Sequence, residues 1–253
     1  LLRLVTVVFL FNLGLLLVES SLWLYILFPF FGFAIGLFFL PGFFKVKNEK
    51  SVLREFFDYN KWIALFTLIV AFSSRLDIFL SARLLTLGEV GIYSVAVTLS
   101  SIVPAIVFAI ATVVDPKLAG MTNDKDAYNY LKKLQLFVLG LALIGIVVGI
   151  PLSYVFIPLF YGSRYLASTA PLSILIVAQA IFLISVPAHT SIFYYFSYPK
   201  LFVYVSIIHL AILLVGGWFM ISAFGYKGAA WIFLIGNIWN FAAPFVWVMR
   251  KFK

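Results

Sequence analysis

Apolar runs of about twenty residues, the length that crosses a bilayer core as a helix, recur along the whole chain with short polar interruptions. The pattern predicts eight spans: Leu1–Val18, Leu22–Phe44, Trp62–Arg83, Val90–Val114, Leu134–Phe160, Pro171–Phe196, Leu201–Phe224 and Ala229–Met249. Two connections are long, Lys45–Lys61 and Asp115–Lys133, and the others are short turns. No segment alternates apolar and polar residues over the short lengths that a membrane β-barrel requires. The expected fold is all-α, a polytopic helical membrane protein of about eight transmembrane helices with no extramembrane domain.

Composition supports this picture: 64% of the 253 residues are hydrophobic and only 11% are charged, far less charge than a soluble domain carries. The net charge of +9 does not point to nucleic acid, because the basic residues are scattered through short connections rather than gathered on a face. Their distribution sets orientation instead. Of 18 Lys and Arg residues, fourteen fall on one side of the predicted membrane, among them Lys50, Arg54, Lys125, Lys200 and Arg250. Arg83, Arg164 and Lys227 fall on the other side, and Arg75 lies within a span. The richer side is expected to be cytoplasmic, which places both long connections and the C-terminus there. The chain opens Leu-Leu-Arg at a span, without a methionine, so an earlier N-terminal part is expected.

Candidate chemistry is sparse. There is no cysteine, hence no disulfide or thiolate, and two histidines with nine acids mostly in loops make no metal set. No zinc-protease motif, phosphate-cradling glycine loop or paired acidic motif occurs, so neither an enzyme nor a cofactor is expected. Polar residues inside spans are the remaining candidates. In "SSRLDIFLSARLL", Arg75 and Asp77 are two apart, about 200° around a continuous α-helix. Asp77 then shares a stripe with Ser73, Ser74 and Ser81, while Arg75 lies with Ala71, Ile78 and Ala82. Each charge needs its own partner, since a charge near the bilayer centre costs at least ~2.5–3.5 kcal/mol. The fourth span carries a hydroxyl stripe, Ser94, Thr98, Ser101, Ala105 and Thr112, suited to helix packing or to a polar path. The sixth carries Gln179, His189 and Thr190 on one broad face beside Pro187. Gly32/Gly36 and Gly145/Gly149 have the spacing of close helix contacts.

"SRLDIFLSARLLTLGEVGIYSVAVTLSSIVPAIVFAIATVVDPKLAG" resembles the seventh and eighth helices of Wzx-type polysaccharide flippases, of the multidrug/oligosaccharidyl-lipid/polysaccharide superfamily. The matching positions are Arg75, Asp77, Val90, Gly91, Tyr93 and Ala96. "LFYGSRYLASTAPLSIL" resembles the turn between helices nine and ten, and the "G-xx-GAA" turn at Gly225, Gly228, Ala229 and Ala230 that between eleven and twelve. The resemblance implies helices five to twelve of a two-lobe fold: 1–44 the last two helices of the N-terminal lobe, 45–61 a cytoplasmic inter-lobe linker, and 62–253 a six-helix C-terminal lobe. It also implies alternating-access transport of polyprenyl-pyrophosphate-linked oligosaccharides across the inner (cytoplasmic) membrane. The implied partners are that lipid-linked glycan, membrane lipids and other polysaccharide assembly proteins. A multidrug exporter of the same superfamily and a lipid II flippase are the alternatives. The implied cargo-contacting residues are Arg75, then Arg83, with Asp77, Gln179 and His189 as further candidates and Tyr165 or Tyr194 as sugar platforms. A guanidinium grips a diphosphate with two parallel hydrogen bonds and stays charged.

The charge asymmetry is testable directly. In intact cells an impermeant thiol reagent is expected to label Arg164→Cys and Lys227→Cys, but Lys50→Cys and Lys125→Cys only after permeabilisation; the opposite pattern would invert the orientation.

Overall fold

A computed structural model of the chain describes residues 2–15, 17–39 and 50–252. Every regular element among them is helical, as the sequence pattern requires: in lipid only a helix satisfies its own backbone groups one segment at a time. Contacts divide the chain into two compact units, Leu1–Arg54 and Glu55–Lys253.

The first unit holds α1 (Leu2–Asn12) and α2 (Val18–Phe38). At 11 residues α1 is too short to cross a bilayer core, although the hydrophobic run predicts a full span there. The Asn12 amide turns back to the carbonyl of Val8 (3.0 Å), and Gly14 follows with φ 68°. Gly32 and Gly36 meet no neighbour within this unit.

The larger unit begins within α3 (Lys50–Ser73) and continues through α4 (Leu76–Leu84), α5 (Leu87–Ser100), α6 (Ile102–Ala119) and α7 (Asp124–Tyr161). A 3₁₀ turn (Ser163–Ser168) leads into α8 (Thr169–Thr190), which ends in a π turn (Ser191–Tyr195). Then come α9 (Lys200–Ala211), a second π turn (Ile212–Gly216) and α10 (Gly217–Lys251). Among the described residues six stretches are long and apolar enough to cross a membrane. The chain is an all-α, polytopic membrane protein.

The long polar connections are shorter than the pattern suggests, because helices run on past the apolar zone. Lys50–Lys61 is the first half of α3; residues 45–49 of that connection lie outside the described residues. Between α6 and α7 only residues 120–123 are non-helical. Asn123 caps α7, its side chain accepting from Lys125 N (2.9 Å), with Asp124 and Asp126 in the favourable first turn. With 38 residues α7 is ~57 Å long at 1.5 Å per residue, against a bilayer core of ~30 Å. Its polar N-terminal turns therefore extend beyond the core.

The last two predicted spans form one 52-residue stretch, Lys200–Lys251, folded back on itself at Gly225. This residue has φ 61° and ψ −143°, a backbone state open to glycine. A Cβ on Gly228 would lie 2.0 Å from the carbonyl oxygen of Met220, whereas residues eight apart in a straight helix are ~12 Å apart. Contacts then step outward symmetrically: Gly216 and Gly217 against Ile232, His209 against Gly236, and Trp239 Nε1 donating to the carbonyl of Val205 (3.0 Å). The two limbs are a tight antiparallel hairpin.

The central element is α8, whose span is 56% buried against at most 17% for the others. One core cluster surrounds Tyr93, Leu175, Ile221 and Ala230; a second joins Leu118, Val138 and Leu183; a third joins Ile192, Phe202 and Val248. Helix ends sort into two sets. At one, Lys200 lies over Trp62 (5.1 Å), Lys117 over Tyr130 (4.5 Å) and Lys251 over Trp247 (5.3 Å). At the other, Tyr165 lies beside Gly91, and Glu89 beside Gly225. This is the partition that the charge pattern drew.

The hairpin turn predicts a sharp steric effect. Gly228→Ala forces its methyl into the Met220 backbone and is expected to destabilise by about 3 kcal/mol or more, as overpacking does. Gly145, with nothing near its Cβ position, is the control: Gly145→Ala is expected to stay within about 0.5 kcal/mol. Melting in detergent followed by tryptophan fluorescence compares the two; equal melting points would refute the close hairpin.

Candidate functional site

The third predicted span is not one helix. Ser73 Oγ donates to the carbonyl of Ile69 (2.8 Å) and Ser74 Oγ to that of Ala71 (2.9 Å). Such back-bonding competes with the main-chain ladder and bends helices. Here α3 ends at Ser73, and α4 restarts with Phe79 N donating to the carbonyl of Arg75 (2.9 Å). Arg75 itself sits at the break, with φ −131° and ψ 9°. The continuous helix assumed from the sequence is thus corrected to two helices joined at Ser74–Arg75. The stripe survives in part: Ser73, Asp77 and Ser81 are buried, while Ser74 and Arg75 are exposed.

Asp77 lies in the first turn of α4, where backbone N–H groups favour a carboxylate. Its Oδ2 accepts a hydrogen bond from the hydroxyl of Tyr93 on α5 (2.6 Å), a length typical of a charge-assisted bond. Asp77 is 5% exposed and Tyr93 0%. Leu80, Ala96, Leu175 and Ile221 form the apolar cluster around Tyr93. Ser81, one turn beyond Asp77, is fully buried with its Oγ unpartnered among the described residues.

Arg75 is partnered differently. Among the described residues the one ion pair is Lys61–Asp58 (2.6 Å), and no hydrogen bond holds the Arg75 side chain. Arg83 is also exposed, in the last turn of α4, where a cation complements the helix C-terminus.

The two candidates on α8 serve different places. Gln179 is buried and makes no side-chain hydrogen bond among the described residues. His189 lies ten residues on, ~15 Å along the helix. Its Nε2 is 2.9 Å from the carbonyl oxygen of Asn240, to which it donates, and its ring stands edge-on to Phe202 (4.9 Å). The local chemistry explains this bond. The amide that would satisfy Asn240 within α10 belongs to residue 244, which is proline and has no N–H. His189 supplies the missing donor from the neighbouring helix. The five candidates are therefore spread over three helix ends, Arg75, Arg83 and His189, and the buried positions of Asp77 and Gln179.

The hydroxyl stripe on the fourth span is divided by a kink at Ser101. Thr98, Ser101, Ala105 and Thr112 are exposed, and the three hydroxyls bond back to their own backbone carbonyls. Among the spaced glycines, Gly149 lies against Ile176 and Gly145 is open.

Three interactions escaped the sequence reading. The π turn closing α8 is tied to three other helices at consecutive residues. The Phe193 carbonyl accepts from Tyr59 Oη of α3 (3.0 Å), Tyr195 Oη donates to Asp124 of α7, and between them Tyr194 lies beside Asp115 of α6. Tyr194, a candidate sugar platform, thus has an acidic partner; Tyr165, the other, accepts from Arg164 (2.9 Å). The only sequence signal for this hub was the run of aromatics after His189, in a chain that is 19% aromatic. Tyr93 stood within the motif but gave no sign of facing Asp77.

A family model described as "Polysaccharide biosynthesis protein" matches residues 4–170, which is most of the chain and includes Arg75, Asp77, Arg83 and Tyr93. Comparisons with curated proteins and with solved structures gave no match. The chain belongs to the polysaccharide biosynthesis protein family.

Proposed function

We propose that this chain takes part in carrying polyprenyl-pyrophosphate-linked oligosaccharides across the cytoplasmic membrane, as a Wzx-type flippase working by alternating access. What carries this reading is the contrast between the two charges of the third span. Asp77 has its partner inside the fold, in Tyr93. Arg75 is exposed at a helix break, with no hydrogen bond or ion pair among the described residues. A permanently charged guanidinium that feels the Asp77 charge but makes no ion pair or hydrogen bond with it is suited to an anionic cargo, and a diphosphate offers paired acceptors for its fork. An exporter of cationic drugs would be served by the reverse arrangement, with acids exposed and bases satisfied. Arg83 is the second candidate contact. Asp77 and His189 act through the packing of α4, α8 and α10, Gln179 is a buried candidate on the same core helix, and the protein performs no covalent step. The cargo is supplied on the cytoplasmic side, where the C-terminus also lies, and is handed on to other polysaccharide assembly proteins outside.

The expected outcome separates cargo contact from folding. In a flippase-null strain carrying the gene, Arg75→Ala is expected to lower surface glycan about tenfold or more, the scale of one lost charge-assisted hydrogen-bond pair. Arg75→Lys, which keeps the charge but loses the fork, should be intermediate, and membrane abundance should be unchanged in both. Tyr93→Phe and Asp77→Asn remove a buried partner and should instead destabilise by about 1–3 kcal/mol, so that glycan falls with abundance. Normal glycan export by both Arg75 variants at parental abundance would overturn the cargo role.

A further inference from the structure

At the lysine-rich end of the larger unit, α7 and the second limb of α10 both pack on α8 but barely touch each other. The gap between them is an open groove of about 230 Å³, more than the ~150 Å³ that admits a benzene ring. Its floor is Pro187 and Ala188 of α8, both buried. Its walls are Leu136 of α7 and Phe245 of α10, and its mouth is framed by Tyr128 and Lys132. The depth is graded. Tyr128 and Lys132 belong to the polar turns of α7 that extend past the apolar run, whereas Leu136, Pro187 and Phe245 lie inside predicted spans. The wall is rigidly held: Gln135 Nε2 donates to the carbonyl of Ile184 (3.1 Å), pinning α7 to α8 beside the floor. Lys132 is exposed and has no acidic partner among the described residues.

We propose that this groove is a binding site for an anionic phospholipid, one acyl chain lying along Leu136, Pro187 and Phe245 and the headgroup phosphate pairing with Lys132. Charge decides the occupant. The groove opens at the end where most Lys and Arg residues gather, and its mouth offers one ammonium. A single point charge matches the single negative charge of a phosphodiester, whereas a diphosphate is best held by guanidinium forks, which the groove lacks. Tyr128 at the mouth has the amphipathic ring suited to the headgroup level. The site is separate from Arg75 and stands whether or not the transport reading holds.

Native mass spectrometry of the purified chain, from micelles doped with phosphatidylglycerol or with phosphatidylcholine of identical chains, tests the site. The parent is expected to retain phosphatidylglycerol about fivefold better, the effect of one lysine close to an anionic headgroup. Lys132→Ala should abolish that preference, and Lys132→Arg should keep it. Leu136→Trp, at an exposed wall position, should fill the groove and lower retention of both lipids without loss of thermal stability. Retention unaffected by Lys132→Ala and Leu136→Trp would overturn the site. So would undecaprenyl phosphate showing the Lys132 dependence while phosphatidylglycerol does not.

Discussion

Pro244 removes one amide hydrogen from a helix that has no water at hand to replace it. The carbonyl of Asn240 is left without its intrahelical donor, and His189 of α8 fills the vacancy at 2.9 Å. In an apolar medium an unmet backbone group costs several kcal/mol. This one defect therefore fixes the rotation of α8 about its axis and the depth at which α10 lies against it. The interface so pinned is the most extensive among the described elements. On its other side α8 is pinned to α7 by Gln135, whose Nε2 donates to the Ile184 carbonyl.

The same constraint recurs at other breaks. Asp77, freed from a continuous helix by the bend at Ser73–Arg75, is met by Tyr93 from α5. The π turn after His189 lies just where three helices arrive: Tyr59 and Asp124 hydrogen-bond to Phe193 and Tyr195, and Asp115 lies beside Tyr194. Irregular backbone is tolerated at depth only where protein covers it. The π turn and the residues just after the α3–α4 break are such junctions. Hydrophobic burial plays a smaller part in choosing these contacts, since lipid competes for the same apolar faces as the neighbouring helices.

Much of the architecture was legible from hydropathy because span length is dictated by the bilayer. The two-sided charge pattern foretold which helix ends lie together, and "G-xx-GAA" marked the hairpin whose turn Gly225 and Gly228 make sterically possible. Other features were not legible, for physical reasons. Helices that continue into water lose their apolar signal while keeping their hydrogen bonds, so the first turns of α7 read as loop. The helix break at Arg75 accompanies serine side chains bonding backwards, which hydropathy does not register, and the one at Ser101 precedes Pro104, which has no N–H for the Ser100 carbonyl. Asp77 was identifiable as a group in need of a partner, but Tyr93 lies sixteen residues away on another helix, and no local pattern connects them. His189 could be read only as a polar residue near Pro187; the proline that gives it its role is 55 positions on.

Sorting intramembrane polar groups by whether the fold has already satisfied them yields a more selective criterion than their presence alone. Asp77 and His189 are satisfied, and their energies are committed to helix packing. They can change partner only if the helices move. Arg75 and Lys132 are exposed and unpaired among the described residues, one at a helix break and the other at the mouth of a groove. An unpaired guanidinium and an unpaired ammonium have different natural ligands, the first planar and bidentate, the second a single charge. Under the two proposals, the division of basic residue types between the positions assigns them different lipid phosphates: a diphosphate to be moved and a phosphodiester to be held. Exchanging the two side chains would exchange fork for point charge at both places, while leaving the net charge of the molecule unchanged.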